Sequence, residues 1–269
     1  MSNLILFSIL IHLLACNENT DQKVKLVELK KEPSIAYSDS IPKEVNKMMH
    51  LFKDIVGFEN NAIVFADKSK IIYDDSKIKS TDELLNNPDI EDMFHWTYNT
   101  EIEKPNNQED PGRIRNEAFF KALYGENKEE VRKNLKSFVW CPKLVNQTIQ
   151  FNKKNGAFEA LKRVSDELDL HPEWKKYIQN IGGTFNWRNI SGTNRLSAHS
   201  FGITIDINTS FSHYWQWDCG CKNENAKLGY KNSIPMELVE IFEKNGFIWG
   251  GRWYHYDTMH FEYRPEMFN

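Results

Sequence analysis

Hydrophobic and polar residues alternate in the second half of the chain, where Ile203, Ile205 and Ile207 are separated by Thr204 and Asp206. A period of two is typical of a β-strand with one buried face, so Asp206 is predicted to point away from the isoleucines. Short apolar runs at 62–66, 70–73, 138–140, 247–249 and 261–263 predict further strands. A run at 182–188 is predicted to be a strand that ends in an arginine.

Apolar residues recur at helical spacing in two other segments, 45–52 and 158–168. Ser80 followed by Glu83 forms a capping-box pattern, and Asn127 is a typical residue at the start of a helix. Helices and short strands are mixed without a regular βαβ repeat. The sequence therefore predicts an α+β fold, in which a small, mainly antiparallel sheet carries the reactive residues on one face and helices on the other.

The chain has 269 residues, of which 40% are hydrophobic, and a net charge of −4. This length is enough to bury a substantial core, and the composition is not that of a disordered protein. The charge offers no electrostatic basis for nucleic-acid binding, so we expect no nucleic-acid partner.

The N-terminus contains an apolar run at 4–15, too short for a comfortable transmembrane helix. The tetrapeptide at 13–16 resembles a bacterial lipobox that ends in Cys16, the predicted lipidation site, although 1–3 lack a Lys or Arg. An ordinary secretory signal and an anchor helix are the alternatives. We predict a lipoprotein signal peptide at 1–16, a flexible tether at 17–40, an N-terminal α+β region at 41–125 and a second domain at 126–269. The protein is then expected in the cell envelope, lipid-anchored to a bacterial membrane and facing the periplasm or the exterior.

Candidate metal chemistry is concentrated in two clusters about fifty residues apart. His199 precedes the strand that carries Asp206, in a turn that Gly202 permits, and His260 begins another strand-like run. Two histidines and a carboxylate, with one open position, are typical of a catalytic zinc. Asp257, three residues before His260, is the predicted general base that activates the attacking water.

These clusters resemble the zinc peptidases of peptidoglycan, the VanY/VanX-like D-alanyl-D-alanine carboxypeptidases and L-alanyl-D-glutamate peptidases. The resemblance rests on the motifs Ser197-x-His199-x-x-Gly202-x-x-x-Asp206, Trp249-Gly250-Gly251-x-Trp253 and Asp257-x-x-His260-Phe261-Glu262. It implies a Hedgehog/D,D-peptidase-like fold, Zn²⁺ held by the two histidines and Asp206, and catalysis by Asp257, where VanX-type members have Glu.

The resemblance also implies an arginine that polarises the scissile carbonyl. Arg188 is the better match and Arg195 the alternative. Ser197, Arg195 and Trp253 are predicted to contact substrate. His255 and Glu262 are predicted to orient the metal ligands.

Three further cysteines and one further histidine leave alternatives open. In an exported protein Cys141 is predicted to form a disulfide with Cys219 or Cys221. One alternative is a zinc site made from the three cysteines. The other alternative is a free, buried thiol. His213 could be an extra metal ligand, but an ordinary loop histidine is the preferred interpretation.

The domain at 126–269 is therefore predicted to be a zinc peptidase domain. The predicted function is zinc-dependent hydrolysis of peptide bonds in peptidoglycan stem peptides. The sequence leaves open whether the enzyme is a D,D- or L,D-type carboxypeptidase or an L-Ala-D-Glu endopeptidase. A zinc amidase or a peptidase for free peptides is one alternative. A non-catalytic, zinc-containing, cell-wall-binding lipoprotein is the other, and loss of Asp257 would have favoured it.

Overall fold

A computed structural model of the chain describes residues 41–268. The predicted signal peptide, Cys16 and the tether lie outside the described residues. Within 41–268 the helices are α1 (Lys43–Leu51), α2 (Thr81–Asn86), α3 (Glu117–Tyr124), α4 (Lys128–Asn134), α5 (Ala157–Leu168), α6 (Lys175–Ile178), α7 (Trp215–Cys219) and α8 (Met236–Glu243). In this part of the chain no helix has the length and hydrophobicity needed to cross a bilayer.

The strands form three sheets, and every strand pair among them is antiparallel. The strands are β1 (Ile55–Glu59), β2 (Ala62–Phe65), β3 (Lys70–Ile72), β4 (Leu135–Trp140), β5 (Gln147–Asn152), β6 (Ile181–Gly183), β7 (Thr204–Asn208), β8 (Phe247–Trp249) and β9 (His260–Tyr263). Strands β1-β2-β3 form one sheet, β4-β5 a hairpin, and β6-β7-β9-β8 the central four-stranded sheet. The predicted α+β class with small antiparallel sheets is confirmed.

Local signals account for several of these elements. Helix α2 begins with the predicted capping box, since Ser80 and Glu83 exchange hydrogen bonds, and Asn127 caps α4. Helix α5 buries Phe158, Leu161 and other residues of its apolar stripe.

The prediction for 182–188 was too long, because β6 ends at Gly183. Beyond it the chain leaves the sheet and pairs with the segment that carries His199 instead. The amide of Asn186 donates to the carbonyl of His199, and Asn189 forms a bridge with Leu196.

The central sheet separates an apolar layer from a polar one. On one face Ile205 and Ile207 of β7 and Phe261 of β9 are fully buried, and Phe261 stacks on Phe242 of α8 with ring centroids 3.9 Å apart. Asp206 points to the opposite face, as its alternation with the isoleucines predicted.

One hydrophobic core joins the early and late parts of the chain. Val45 and Met48 of α1 belong to the same buried cluster as Phe151 of β5 and Phe247 of β8. The described residues, 41–268, form one compact unit. The boundary predicted at 125/126 stays a prediction, but packing is continuous across it.

Candidate metal centre

The register of two central strands places Asp206 beside His260. In the antiparallel pair β7–β9, Asp206 lies directly opposite His260, and Ile205 opposite Phe261. Side chains opposite one another share a face of the sheet and lie close enough to interact. A carboxylate and an imidazole 54 residues apart are thus adjacent, and Asp206 Oδ1 is 3.1 Å from His260 Nδ1.

A short turn before β7 supplies the second imidazole. His199 lies in a 3₁₀ turn, Ala198–Phe201, which begins at Ser197 and ends at Gly202 with φ +65°. A Cβ at Gly202 would lie 2.6 Å from Leu135 Cδ2, so glycine is required there by both backbone conformation and space. Hydrogen bonds from Asn152 to the carbonyls of Phe201 and Gly202 fix the turn to β5.

The three side chains turn donor atoms toward one another. His199 Nε2 is 3.1 Å from Asp206 Oδ2, and donor atoms of His199, Asp206 and His260 all lie within 4.8 Å of one another. His199 Nδ1 is 2.9 Å from the carbonyl oxygen of Thr184, which can only accept a hydrogen bond. The ring proton therefore resides on Nδ1, and Nε2 keeps a lone pair for a metal.

This donor set fits zinc. Two imidazole nitrogens and one carboxylate are a known catalytic zinc combination, and they leave a fourth position open. Among the described residues the structure brings together all three predicted ligands. Two other close groups of acids occur, Asp74-Asp75-Asp89 and Asp89-Glu91-Asp92. Lys79 forms ion pairs with Asp75, Asp89 and Asp92 there, which gives those groups a structural explanation.

The electrostatics of the centre call for a cation. Burial raises the pKa of Asp206, but His199 and His260 outweigh it and hold the pKa well below its usual range. Burial lowers the pKa of His260, but Asp206, Glu262 and Asp257 outweigh this effect and raise the pKa to about 9. Without a metal the cluster therefore holds a proton on His260, and a divalent cation would replace that proton.

A buried ion-pair network of Glu262, Arg115 and Arg264 lies beside His260. Glu262 Oε2 is 3.5 Å from His260 Nε2, and Nε2 makes no hydrogen bond. Glu262 accepts hydrogen bonds from Arg115 Nε, at 2.9 and 3.0 Å, and from Arg264. Burial raises the pKa of Glu262, but Arg115, His260 and Arg264 bring it well below its usual range, so the carboxylate is ionised. The predicted orienting role of Glu262 is compatible with this geometry.

Asp257 lies in the turn that precedes β9. Its amide donates to the Gly250 carbonyl, and its own carbonyl accepts from the amide of His260, which ties the turn to the ligand. The Oδ1 atom is enclosed and has no hydrogen-bond partner among the described residues. Burial, opposed by His260 and reinforced by Asp206, raises the pKa of Asp257 to about 7. An unpartnered carboxyl that titrates near neutrality is suited to proton transfer.

The residues predicted to contact substrate occupy different positions. Ser197 is buried, and its Oγ accepts from the His199 amide at 3.4 Å. Trp253 is also buried, and its ring centroid lies 5.4 Å from that of His260. Arg188 is exposed, whereas Arg195 is half-buried on the wall of a neighbouring cleft. Substrate contact by these residues stays a prediction.

The structure corrects the prediction for His255 and agrees with the preferred interpretation of His213. His255 does not orient a metal ligand, because Nδ1 bonds to Asp110 at 2.7 Å and Nε2 to the Glu224 carbonyl at 2.9 Å. His213 is an ordinary loop histidine, with Ser233 at 3.0 Å from Nε2 and Asp218 at 3.3 Å from Nδ1.

The predicted disulfide between Cys141 and a later cysteine is wrong. Cys219 pairs with Cys221, and Cys141 is a free thiol with no exposed surface. Cys141 belongs to the main hydrophobic core, and its sulfur lies 3.7 Å from the carbonyl oxygen of Ser165. This pairing also excludes the alternative zinc site made from the three cysteines.

Two supporting residues escaped the sequence analysis. Thr184 acts through its backbone carbonyl, which any residue type could supply, so its identity carries no signal. Arg115 lies 147 residues from Glu262 and far from both motifs. The buried acid at Glu262 was the available hint, since an ionised carboxylate inside a core needs a cation.

Comparison with known proteins agrees with the motif analysis. Residues 191–263 match the family model described as D-alanyl-D-alanine carboxypeptidase. The matched segment contains the turn of His199, strand β7, Asp257 and His260, and it confirms the resemblance recognised in the sequence. No curated protein and no solved structure matches the chain. The Hedgehog/D,D-peptidase-like fold therefore stays a prediction.

Proposed function

We propose that the protein is a zinc-dependent peptidase that hydrolyses peptide bonds in peptidoglycan stem peptides. The observation that carries this proposal is the convergence of His199, Asp206 and His260 within the segment that matches the carboxypeptidase family. When bound to these three side chains, zinc would supply Lewis-acid polarisation and lower the pKa of a water toward ~7.

Asp257 is the proposed proton carrier. Its enclosed Oδ1 lacks a hydrogen-bond partner among residues 41–268, and burial raises its pKa to about 7 in the metal-free protein, which favours the uptake of a proton by this carboxylate. It takes a proton from the attacking water and then delivers one to the leaving amine. A purely structural aspartate at this depth would have its oxygens satisfied by hydrogen bonds.

Arg188 is the proposed donor to the scissile carbonyl. Its backbone carbonyl accepts from the Ser197 amide at 2.9 Å, which places it beside the turn of His199. No carboxylate of residues 41–268 lies within ion-pair distance, and Nη1 bonds only to the neighbouring Asn189 carbonyl.

The substrate and the location extend the same proposal. D-alanyl-D-alanine termini and the adjoining stem peptide are the class suggested by the family match, with D,D-, L,D- and L-Ala-D-Glu cleavage as the candidate reactions. Lipidation at Cys16 would tether the enzyme to a bacterial membrane, with the catalytic region facing the periplasm or the exterior.

The experiment is digestion of defined muropeptides by the zinc-loaded protein, with the products weighed by mass spectrometry. We expect each muropeptide to be cleaved at one peptide bond. A chelator should abolish this cleavage, and added zinc should restore it. His199→Ala should be inactive, while His171→Ala, at a half-buried histidine beside Glu173, serves as a matched control with normal activity. A zinc-loaded protein that binds muropeptides without cleaving any bond would support the non-catalytic alternative. A protein that takes up no zinc would overturn the proposal.

A further inference from the structure

A cleft of about 870 Å³ lies beside the candidate metal centre. One wall is the loop 190–196, which runs directly into Ser197 and the turn of His199. Another wall contains Arg113 and Arg115. Arg115 bonds to Glu262, and Glu262 lies 3.5 Å from the ring of His260. These two side chains therefore lie between the cleft and the metal centre.

The three arginines that line this cleft are not equivalent. Arg113 is paired with Asp110 at 2.7 Å and with Glu224 at 2.9 Å, and Arg115 is paired with Glu262. Arg195 forms no ion pair within the described part of the chain, and its Nε is enclosed without a hydrogen-bond partner. A half-buried guanidinium normally has a carboxylate or carbonyl to satisfy its donors.

Positive charge outweighs negative charge in the surroundings of Arg195. Burial, followed by repulsion from Arg113 and Arg115, lowers the pKa of Arg195 to about 10, although Glu224 and Asp82 partly oppose this. Lys222, also on the cleft wall, is exposed and has no ion-pair partner among residues 41–268. The cleft therefore presents two unpaired cations to whatever enters it.

We propose that this cleft is a carboxylate-binding subsite, in which Arg195 receives an acidic group of the substrate peptide away from the bond that is cut. Lys222 adds a second positive charge nearby. The proposal rests on the proposed peptidase function and names a feature that its substrates must carry. The planar guanidinium matches a carboxylate with two parallel hydrogen bonds, and this match is stronger than neutral pairing.

Stem peptides offer two such groups, the free carboxylate of the glutamyl residue and that of the diamino acid. Both share the chemistry that Arg195 would recognise, so the experiment must separate them. Three synthetic peptides serve: the fully acidic form, one with only the glutamyl carboxylate converted to carboxamide, and one with only the diamino-acid carboxylate converted.

The test measures kcat and KM for the three peptides with the zinc-loaded full-length protein. For wild type we expect one amide to raise KM by roughly 10- to 100-fold, the usual scale for losing a charge-assisted hydrogen bond, with kcat nearly unchanged. Arg195→Gln should treat acid and amide alike, and Arg195→Lys should retain part of the preference. Arg132→Gln, an exposed arginine paired with Glu129, is the matched control.

Equilibrium binding of the same labelled peptides to the zinc-free protein provides a second readout. Acidic peptide that binds through Arg195 but is never cleaved would leave the subsite standing and remove the peptidase function. Cleavage of all three peptides with equal KM, or an unchanged preference in Arg195→Gln, would overturn the subsite and leave the peptidase. Absence of both binding and cleavage would overturn both.

Discussion

Replacing Asp257 by asparagine tests whether this carboxylate is the general base, because the substitution removes the proton acceptor and changes little else. The amide has nearly the same shape but cannot accept a proton. If Asp257 is the general base, kcat for muropeptide hydrolysis should fall by ~10²- to 10⁴-fold. Zinc content should stay at the wild-type level, because the ligand group consists of His199, Asp206 and His260.

The same change should stabilise the metal-free fold. Burial raises the pKa of Asp257 from 3.8 to about 7, so the folded state disfavours the ionised carboxylate. Each tenfold change in proton affinity equals about 1.4 kcal/mol, so keeping Asp257 ionised in the folded state at pH 8 costs about 4 kcal/mol. Because part of the side chain is exposed to solvent, we reduce this cost to about 2–4 kcal/mol. The cost is absent below pH ~4, where the acid is protonated in both states, and it is complete above pH ~7.

Urea unfolding of the chelator-treated proteins at pH 8 and pH 4 measures this difference. Asp257→Asn should exceed wild type in free energy of unfolding at pH 8 and match it at pH 4. Asp166→Asn, an exposed acid paired with Lys162, is the control and should show no such pH dependence. A variant that keeps the wild-type rate would refute the base assignment. A variant that loses its zinc would make Asp257 a ligand, and equal stability at both pH values would refute the burial argument.

Four further outcomes are expected. His199→Ala should abolish stoichiometric zinc binding in elemental analysis, because a three-ligand site has no spare donor; full zinc content would refute the ligand set. Arg115→Gln should weaken zinc affinity by roughly 10- to 100-fold in chelator competition, because Glu262 then loses its main cation; unchanged affinity would contradict the supporting role. Apparent zinc affinity should rise about tenfold per pH unit between pH ~6 and 8, since His260 with a pKa of about 9 must release its proton first; a flat profile would contradict it. Cys16→Ala should release the protein from membrane fractions and abolish labelled-palmitate incorporation, and unchanged sedimentation would count against the lipobox.

Each half of the metal centre could be predicted from a local motif, and the resemblance to a known peptidase family joined the two halves. The alternation of Ile205 and Asp206 specifies which side of the strand carries the polar residues, and Gly202 permits the turn that brings His199 back to that side. The spacing from Asp257 to His260 likewise depends on one short turn. These relationships require only backbone geometry and the contrast between polar and apolar side chains.

The sulfur pairing could not be predicted in the same way. Sequence spacing made Cys141 a plausible partner, but whether two cysteines can bond depends on the separation of their Cα atoms in the folded chain. Cys141 is enclosed by the core, whereas Cys219 ends α7 and Cys221 follows two residues later, with their Cα atoms 5.2 Å apart. The role predicted for His255 failed for a similar reason, because Asp110 approaches it from a distant segment.

The sequence by itself therefore determined the α+β class, the three metal-ligand candidates and the proposed base. Tertiary structure alone decided which charges compensate one another: Arg115 with Glu262, His255 with Asp110, and Arg195 with no carboxylate among residues 41–268. The physical reason is the range of the interactions. Strand alternation and turns arise between residues close in sequence, whereas a buried charge is stabilised by whichever opposite charge the fold brings within a few ångströms.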